Sequence, residues 1–186
     1  MRADAVKNRQ RILDAAAVVF ASEGVSAPID VVAARAGVGV GTLYRHFPTK
    51  EALFEAIVLT KLTDLVAAAH AGADAADPER ALFAFVELFA AEAANKHDLF
   101  DALGSAGIDI KSRCATSIEE LEAGIDRLLG RAVACGAVRD DIGANDIVGL
   151  VIGMCQAAER MGGSPGSVQR LVGVVCEGLR ANGADR

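Results

Sequence analysis

The sequence contains no Trp and a single Tyr, and aromatic residues make up only 4% of its 186 positions. It also lacks any long stretch in which apolar and polar residues alternate, which is the pattern of a half-buried β-strand. Apolar residues nevertheless account for 52% of the chain, mostly as Ala, Val and Leu, so the chain can bury a sizeable core. These features predict an all-helical fold.

Long apolar runs are missing as well. The longest mainly apolar stretch, Ile147–Ala158, is much shorter than the roughly 20 residues that a membrane span needs. The first ten residues, MRADAVKNRQ, are polar and charged, unlike the apolar region of a signal peptide. We therefore expect a cytoplasmic chain with no membrane partner.

Metal and enzyme motifs are also scarce. The four cysteines lie at positions 114, 135, 155 and 176, a spacing that matches no zinc or C-x-x-C pattern. We expect them to be free thiols that pack as small apolar residues, with a redox role as the alternative. His70 and His97 are isolated and lack metal-ligand spacing. Because no H-E-x-x-H or phosphate-loop motif occurs either, we expect the chain to bind no metal and no cofactor and to have no enzymatic activity.

Charge is distributed unevenly along the chain. Residues 1–50 carry seven basic groups against four acidic ones, a net charge of +3, whereas residues 51–186 carry twelve against twenty-one, a net charge of −9. The overall charge of −6 therefore hides a basic head on an acidic body. This asymmetry is expected when one end of a protein meets a polyanion.

Apolar residues at helical spacing predict three helices in the head, at about residues 8–23, 28–36 and 40–47. The second and third are short and are joined by the turn Gly37-Val38-Gly39, and Pro48 ends the third. Two short helices joined by a tight glycine-containing turn form a helix-turn-helix.

Six more helices are predicted after the head. Thr49 is a natural N-cap for a long fourth helix that runs to about Ala69, and five others follow at about residues 78–94, 98–103, 112–134, 146–161 and 167–181. We expect a domain boundary between a head of residues 1–48 and a body of residues 49–186.

The third helix has two different faces. Its apolar residues repeat at helical spacing and are expected to be buried: Val40, Leu43 and Phe47. Its outward face then holds Gly41, Thr42, Arg45 and His46, with Tyr44 at the edge. Such a helix can enter a DNA major groove, where an Arg forms two hydrogen bonds with guanine. The Thr, Tyr and His side chains supply donors that suit phosphate oxygens.

Lys50 lies in the first turn of the fourth helix, where a cation interacts unfavourably with the helix dipole. A phosphate placed between its ammonium group and the free N–H groups of that turn reverses the sign of this effect. We therefore expect Lys50 to contact phosphate, with a solvated side chain as the alternative.

The residues from Ile12 to Leu53, ILDAAAVVFASEGVSAPIDVVAARAGVGVGTLYRHFPTKEAL, resemble the DNA-binding head of the TetR family of bacterial regulators. The resemblance implies a dimeric repressor that binds a palindromic site and is released by a small apolar or amphipathic molecule. By position, it places Thr42, Tyr44, His46 and Lys50 on phosphates and Gly41 and Arg45 in the groove. The chain departs from the family pattern at Ala27-Pro28 and at Gly39, where the family often has hydroxyl residues.

The resemblance also implies that the last two helices pair with those of a second copy. A row of small residues, Gly149, Gly153 and Ala157, at i, i+4 and i+8, fits such close pairing, as does an apolar face that includes Leu171 and Val175. The alternative is that these helices form an intramolecular core.

A ligand pocket is expected among the fifth to eighth predicted helices, where five residues could converge: Phe85, Phe89, His97, Phe100 and Met154. Each of them could instead be ordinary core. A second functional hypothesis is a DNA-binding protein without a small-molecule ligand, which a protein partner controls through the acidic body.

Overall fold

The computed structural model describes residues 2–94, 104, 109–162 and 165–181. Nine helices occur in these residues: α1 (Arg2–Glu23), α2 (Ile29–Ala36), α3 (Val40–His46), α4 (Lys50–Ala73), α5 (Pro78–Ala94), α6 (Ile110–Arg113), α7 (Ala115–Ala134), α8 (Ala144–Arg160) and α9 (Pro165–Leu179). The predicted all-helical fold is confirmed. No helix of the described part is both long and apolar enough to cross a membrane.

One predicted helix is wrong as a single element. Residues 112–134 form the end of the short helix α6 and the long helix α7, which are separated at Cys114. The break coincides with the point where the chain leaves one compact unit and joins another, a change that apolar spacing along the sequence does not reveal. The helix predicted at 98–103 lies outside the described residues.

The first compact unit holds α1, α2, α3, the part of α4 up to Lys61, and α6. Helix α1 packs against α2 and α3, and its apolar residues lie on one face because they recur every three or four positions. Ile12, Val19 and Leu43 are almost fully buried in this unit. The rings of Phe20 and Phe54 meet edge to face with centroids 4.8 Å apart, so α1 also packs on the start of α4.

The second compact unit begins at Leu62 and contains the rest of α4 with α5, α7, α8 and α9. Helix α5 contacts α7, α8 and α9, and the fully buried residues Leu82, Ile125 and Val151 belong to one core cluster. Helices α4 and α7 approach closely, because a Cβ atom added at Gly124 would lie 2.8 Å from the Cβ of Ala69. Helix α4 thus contributes to both units, and the domain boundary between residues 48 and 49 stays a prediction.

Candidate nucleic-acid interface and other candidate sites

The turn between α2 and α3 depends on Gly37. This residue has the left-handed angles φ 65° and ψ 37°, and its N–H group donates to the carbonyls at the end of α2. A side chain would be strained at this φ, and a Cβ there would also lie 2.5 Å from Nη2 of Arg11. The glycine therefore permits the tight turn that connects the end of α2 to the start of α3.

The core contacts of α3 come from its second half. Leu43 is 1% exposed and Phe47, which directly follows the helix, is 3% exposed. Val40, which we predicted to lie on the buried face, is 40% exposed, so that prediction is wrong. Val40 is the first residue of the helix, and because helical side chains point back toward the N-terminus, its side chain extends away from the core contacts made one turn later.

The outward face of α3 matches the prediction at its other positions. Gly41, Tyr44 and Arg45 are exposed, and Thr42 and His46 are half-buried. A Cβ added at Gly41 would meet nothing within 4 Å. No packing within the described residues therefore requires a glycine at this position. A glycine there lowers the stability of the helix by up to about 1 kcal/mol relative to alanine, so its presence needs another explanation. The open surface here suits close approach by another molecule.

Several basic residues of the head contact the head itself. The Arg9 guanidinium lies over the Phe47 ring, 5.2 Å from its centroid, and Nη2 of Arg11 lies 3.5 Å from the Gly37 carbonyl oxygen. The side chain of Arg45, by contrast, forms neither a hydrogen bond nor an ion pair within the described residues. Its guanidinium is thus available to a partner of the exposed α3 face.

Lys50 has an intramolecular partner that the sequence did not indicate. Its ammonium group donates a hydrogen bond of 2.8 Å to the carbonyl oxygen of Ala27, just before α2. The same nitrogen lies 5.6 Å from the centroid of the Phe20 ring and 5.8 Å from that of Phe54. An ammonium group has three N–H donors, so Lys50 can hold the Ala27 carbonyl and still offer donors to an anion.

The first turn of α4 stabilises negative charge. Thr49 caps the helix, since its hydroxyl oxygen accepts a hydrogen bond of 3.1 Å from the backbone N–H of Ala52, which confirms the predicted N-cap. The Glu51 carboxyl accepts hydrogen bonds from the backbone N–H of Glu51 and from the Thr49 hydroxyl, and these bonds lower the pKa of the carboxyl. The N–H groups near Lys50 thus already favour an anion.

The row of small residues on α8 faces outward. Gly149, Gly153 and Ala157 are exposed, and a Cβ added at either glycine would meet nothing within 4 Å. Leu150 and Ile152, which flank the row, are 42% and 45% exposed. An open strip with apolar edges thus runs along this helix.

Helix α9 presents one strongly exposed apolar residue. Leu171 and Val175, which we assigned to the dimer interface, are half-buried and pack against the core cluster. Val174, between them and unassigned from the sequence, is 69% exposed. Helical spacing alone could not decide which part of the broad apolar face points outward.

Three of the five predicted pocket residues are core residues of the second unit. Phe85, Phe89 and Met154 are 3%, 8% and 6% exposed, and the two phenylalanine rings lie 6.0 Å apart between centroids. His97 and Phe100 lie outside the described residues. The structure thus brings Phe85, Phe89 and Met154 into one cluster.

A groove of about 450 Å³ lies beside this core, between the end of α4 and the start of α5. Its lining is mostly apolar and includes Phe85, and it consists of Ala68, Ala71, Gly72, Ala75, Asp77, Arg80, Ala81, Ala84, Phe85 and Leu88. The sequence does not indicate this groove, because alanines at helical spacing are as typical of close helix packing as of an open surface.

The four cysteines are free thiols, and Cys114, Cys155 and Cys176 are buried. Burial raises the pKa of each of these three thiols, which disfavours the reactive thiolate. Cys135 is exposed, and its Sγ lies 3.2 Å from the carbonyl oxygen of Ala132. Within the described ranges, no three His, Cys, Asp or Glu side chains form a group that could hold a metal.

The run GGSPG at residues 162–166 spells G-x-S-x-G, the motif of a hydrolase nucleophile. In that motif the serine lies on a sharp turn from a strand to a helix. Residues 163 and 164 lie outside the described part of the chain; the described elements on the two sides are helix α8 and helix α9, which begins at Pro165 within the run, rather than a strand and a helix.

Comparisons with known families match both parts of the chain. The family described as "Bacterial regulatory proteins, tetR family" matches residues 12–57. The family described as "Transcriptional regulator SbtR-like, C-terminal domain" matches residues 77–181.

Curated relatives match the head. An HTH-type transcriptional regulator of Staphylococcus aureus is 48% identical over 54 residues, which are 28% of this chain and 29% of the relative. The HTH-type transcriptional regulator SrpR of Pseudomonas putida is 43% identical over 60 residues, or 32% of this chain and 28% of the relative. The chain thus matches less than a third of the length of these relatives.

Solved structures match nearly the whole chain. A TetR transcription regulatory protein from Mycobacterium vanbaalenii is 36% identical with a TM-score of 0.76, over 96% of this chain and 98% of that one. A TetR transcriptional regulator from Streptomyces coelicolor is 32% identical, also with a TM-score of 0.76, over 94% and 99%.

Proposed function

This chain belongs to the TetR family of DNA-binding transcriptional regulators, and we propose that it is a cytoplasmic, homodimeric repressor that a small molecule releases from a palindromic operator. Regulators of this family are not enzymes. The observation that carries the proposal is the exposed face of α3, where the open Gly41 lies one turn from Arg45, whose guanidinium has no partner in the described part of the chain. We further propose that residues 1–48 act as the DNA-binding domain and 49–186 as the regulatory and dimerisation domain.

The α3 face supports a division of roles among its residues. Gly41 lets the helix backbone approach the floor of the major groove, and Arg45 forms two hydrogen bonds with a guanine. Thr42, Tyr44 and His46 donate to phosphate oxygens on the two sides of the groove. Lys50 uses its remaining donors for a phosphate at the start of α4, where the helix dipole also favours an anion.

The exposed strip on α8 supports the dimer. Glycine is unfavourable within a helix, and nothing inside the described chain requires Gly149 or Gly153 to lack a side chain. A second helix packed on the strip would need such small residues, and it would cover the exposed side chains of Leu150 and Ile152. Two α3 helices related by twofold symmetry then read the two halves of a palindrome.

The dimer is tested by Gly153→Glu, which places a carboxylate in the strip. Gly130→Glu on α7 is a matched control, since Gly130 is also an exposed helical glycine with nothing within 4 Å of an added Cβ. In sedimentation experiments we expect the Gly153 variant to be monomeric and to lose affinity for a palindrome, while the Gly130 variant stays dimeric. A dimeric Gly153 variant would place the interface elsewhere.

The groove between α4 and α5 supports a small apolar or amphipathic ligand. Its volume of about 450 Å³ lies within the range of about 300–1,000 Å³ that is usual for ligand pockets. Phe85 lines the groove and also packs in the core cluster with Phe89 and Met154, so we propose Phe85 as a contact of the ligand. Ligand contacts of Phe89, Met154, His97 and Phe100 stay a proposal from the sequence.

The ligand proposal is tested with compounds that release the full chain from DNA. Each active compound is measured again on Ala84→Trp, which fills the groove from an exposed position, and on Ala76→Trp, an exposed position outside the lining. We expect only the Ala84 variant to lose its response. An unchanged response in the Ala84 variant would exclude the groove as the ligand site.

A further inference from the structure

The first turn of α3 exposes an apolar side chain that the proposed DNA contacts do not use. Val40 is 40% exposed, and it lies between Gly39 and Gly41, neither of which has a side chain. A Cβ added at either glycine would meet nothing within 4 Å. The two neighbouring positions therefore have no side chain that could cover Val40 at the N-terminal end of the helix.

Val40 shares a helix face with the residues that are proposed to meet DNA. Tyr44 is one turn further along at i+4 and is 47% exposed, and the neighbouring row holds Gly41 and Arg45, which are also separated by four residues. The core contacts of the helix are already made by Leu43 and Phe47, which are 1% and 3% exposed. Val40 is thus available to an external partner on the face that also carries Arg45.

The chemistry of the side chain selects one feature of DNA. Residues in the first turn of a recognition helix reach base edges in the major groove. Valine has no hydrogen-bond donor or acceptor at its side chain, and the apolar group that the major groove offers is the 5-methyl group of thymine. We propose that Val40 is a specificity-determining residue that contacts the 5-methyl group of one thymine in each half of the operator.

This inference rests on the proposed function, and the test separates the two. The wild-type chain is first used to select its site from randomised DNA duplexes. Each selected thymine is then replaced by uracil, one at a time, which removes only the methyl group. Burial of one such group contributes about 0.8 kcal/mol, so we expect one thymine per half-site at which uracil weakens wild-type binding about fourfold.

Two valine variants then assign that contact. Val40→Ala removes the contact from both protomers of the dimer, so it should bind the selected duplex about 15-fold more weakly. It should also lose the uracil penalty at that thymine, as in a double-mutant cycle. Val18→Ala is the matched control, because Val18 on α1 is similarly exposed at 45%, and it should keep the wild-type penalty. Alanine favours a helix more than valine does, so neither variant should have a lower thermal midpoint than the wild type.

The possible results are distinct. If the wild type enriched no sequence from the randomised duplexes, both the proposed function and this inference would be overturned. An enriched site at which uracil costs nothing at any thymine, or at which the Val40 variant keeps the penalty, would overturn the inference alone. A penalty that only the Val40 variant loses would support it.

Discussion

Replacement of Lys50 by alanine should affect both folding and DNA binding, and the structure gives the size of the first effect. The variant loses a hydrogen bond of 2.8 Å from the ammonium to the Ala27 carbonyl; bonds made by charged groups contribute about 1.5–3 kcal/mol. It also loses the position over the Phe20 and Phe54 rings, which contributes about 0.5–1 kcal/mol at a half-exposed site. Removal of a cation from the first turn of α4 returns about 0.3–1 kcal/mol.

The net effect on the free energy of unfolding should be a loss of about 1–2 kcal/mol, at the low end of these ranges because Lys50 is only half-buried. In a chain of this length, such a loss lowers the thermal midpoint by about 2–8 °C. Lys50→Met keeps the aliphatic part of the side chain and should lose slightly less. Lys50→Arg keeps the charge and should lose least.

The effect on DNA binding is measured by the salt dependence of the affinity. If the Lys50 of each protomer neutralises one phosphate, the slope of log affinity against log salt concentration should become shallower by about two units for the dimer in the alanine and methionine variants. The slope should stay unchanged in the arginine variant. Because phosphate contacts carry no sequence information, every DNA sequence should lose affinity to the same extent.

Thermal unfolding and competition binding at several salt concentrations, on the selected site and on random DNA, test both effects in the same proteins. A lower midpoint with an unchanged slope would show that Lys50 only holds the Ala27 carbonyl. An unchanged midpoint would contradict the stabilising role. Altered base preference in the alanine variant would refute the assignment of Lys50 to phosphate.

Three further predictions concern other residues. Arg45→Ala should cost about 1–3 kcal/mol of binding free energy per half-site on the preferred site and relax the preference at one base pair in each half-site; equal losses on all sequences in competition binding would assign Arg45 to phosphate instead. Gly41→Ala should raise the stability of the chain by up to about 1 kcal/mol in urea denaturation and yet weaken operator binding, and unweakened binding would show that the groove floor does not approach Gly41. Replacement of all four cysteines by Ser or Ala should leave the response of DNA binding to peroxide unchanged, and a peroxide effect that only the parent shows would count against this.

The sequence by itself determined the all-helical fold, most of the described helices and the type of head. Apolar residues at helical spacing mark the core faces, and turn residues such as Gly37 and Pro48 interrupt them, so the order of the elements follows from local chemistry. The outward position of Gly41 and Arg45 could be predicted for the same reason, because Leu43 and Phe47 define the opposite, buried face. These relations connect residues within a turn or two of each other.

The tertiary structure decided what depends on residues far apart in the chain. Val40 continues the apolar spacing of Leu43, but it lies beyond the end of the core contacts and is exposed. The hydrogen-bond partner of Lys50 is a backbone carbonyl 23 residues earlier in the chain. Because every residue has a backbone carbonyl, the residue type at that position gives no indication of this contact. The break at Cys114 arises where the chain passes between compact units, and the outward position of Val174 follows from which side of α9 meets the core. Spacing along a helix shows which residues share a face, but burial depends on what the rest of the chain places against that face.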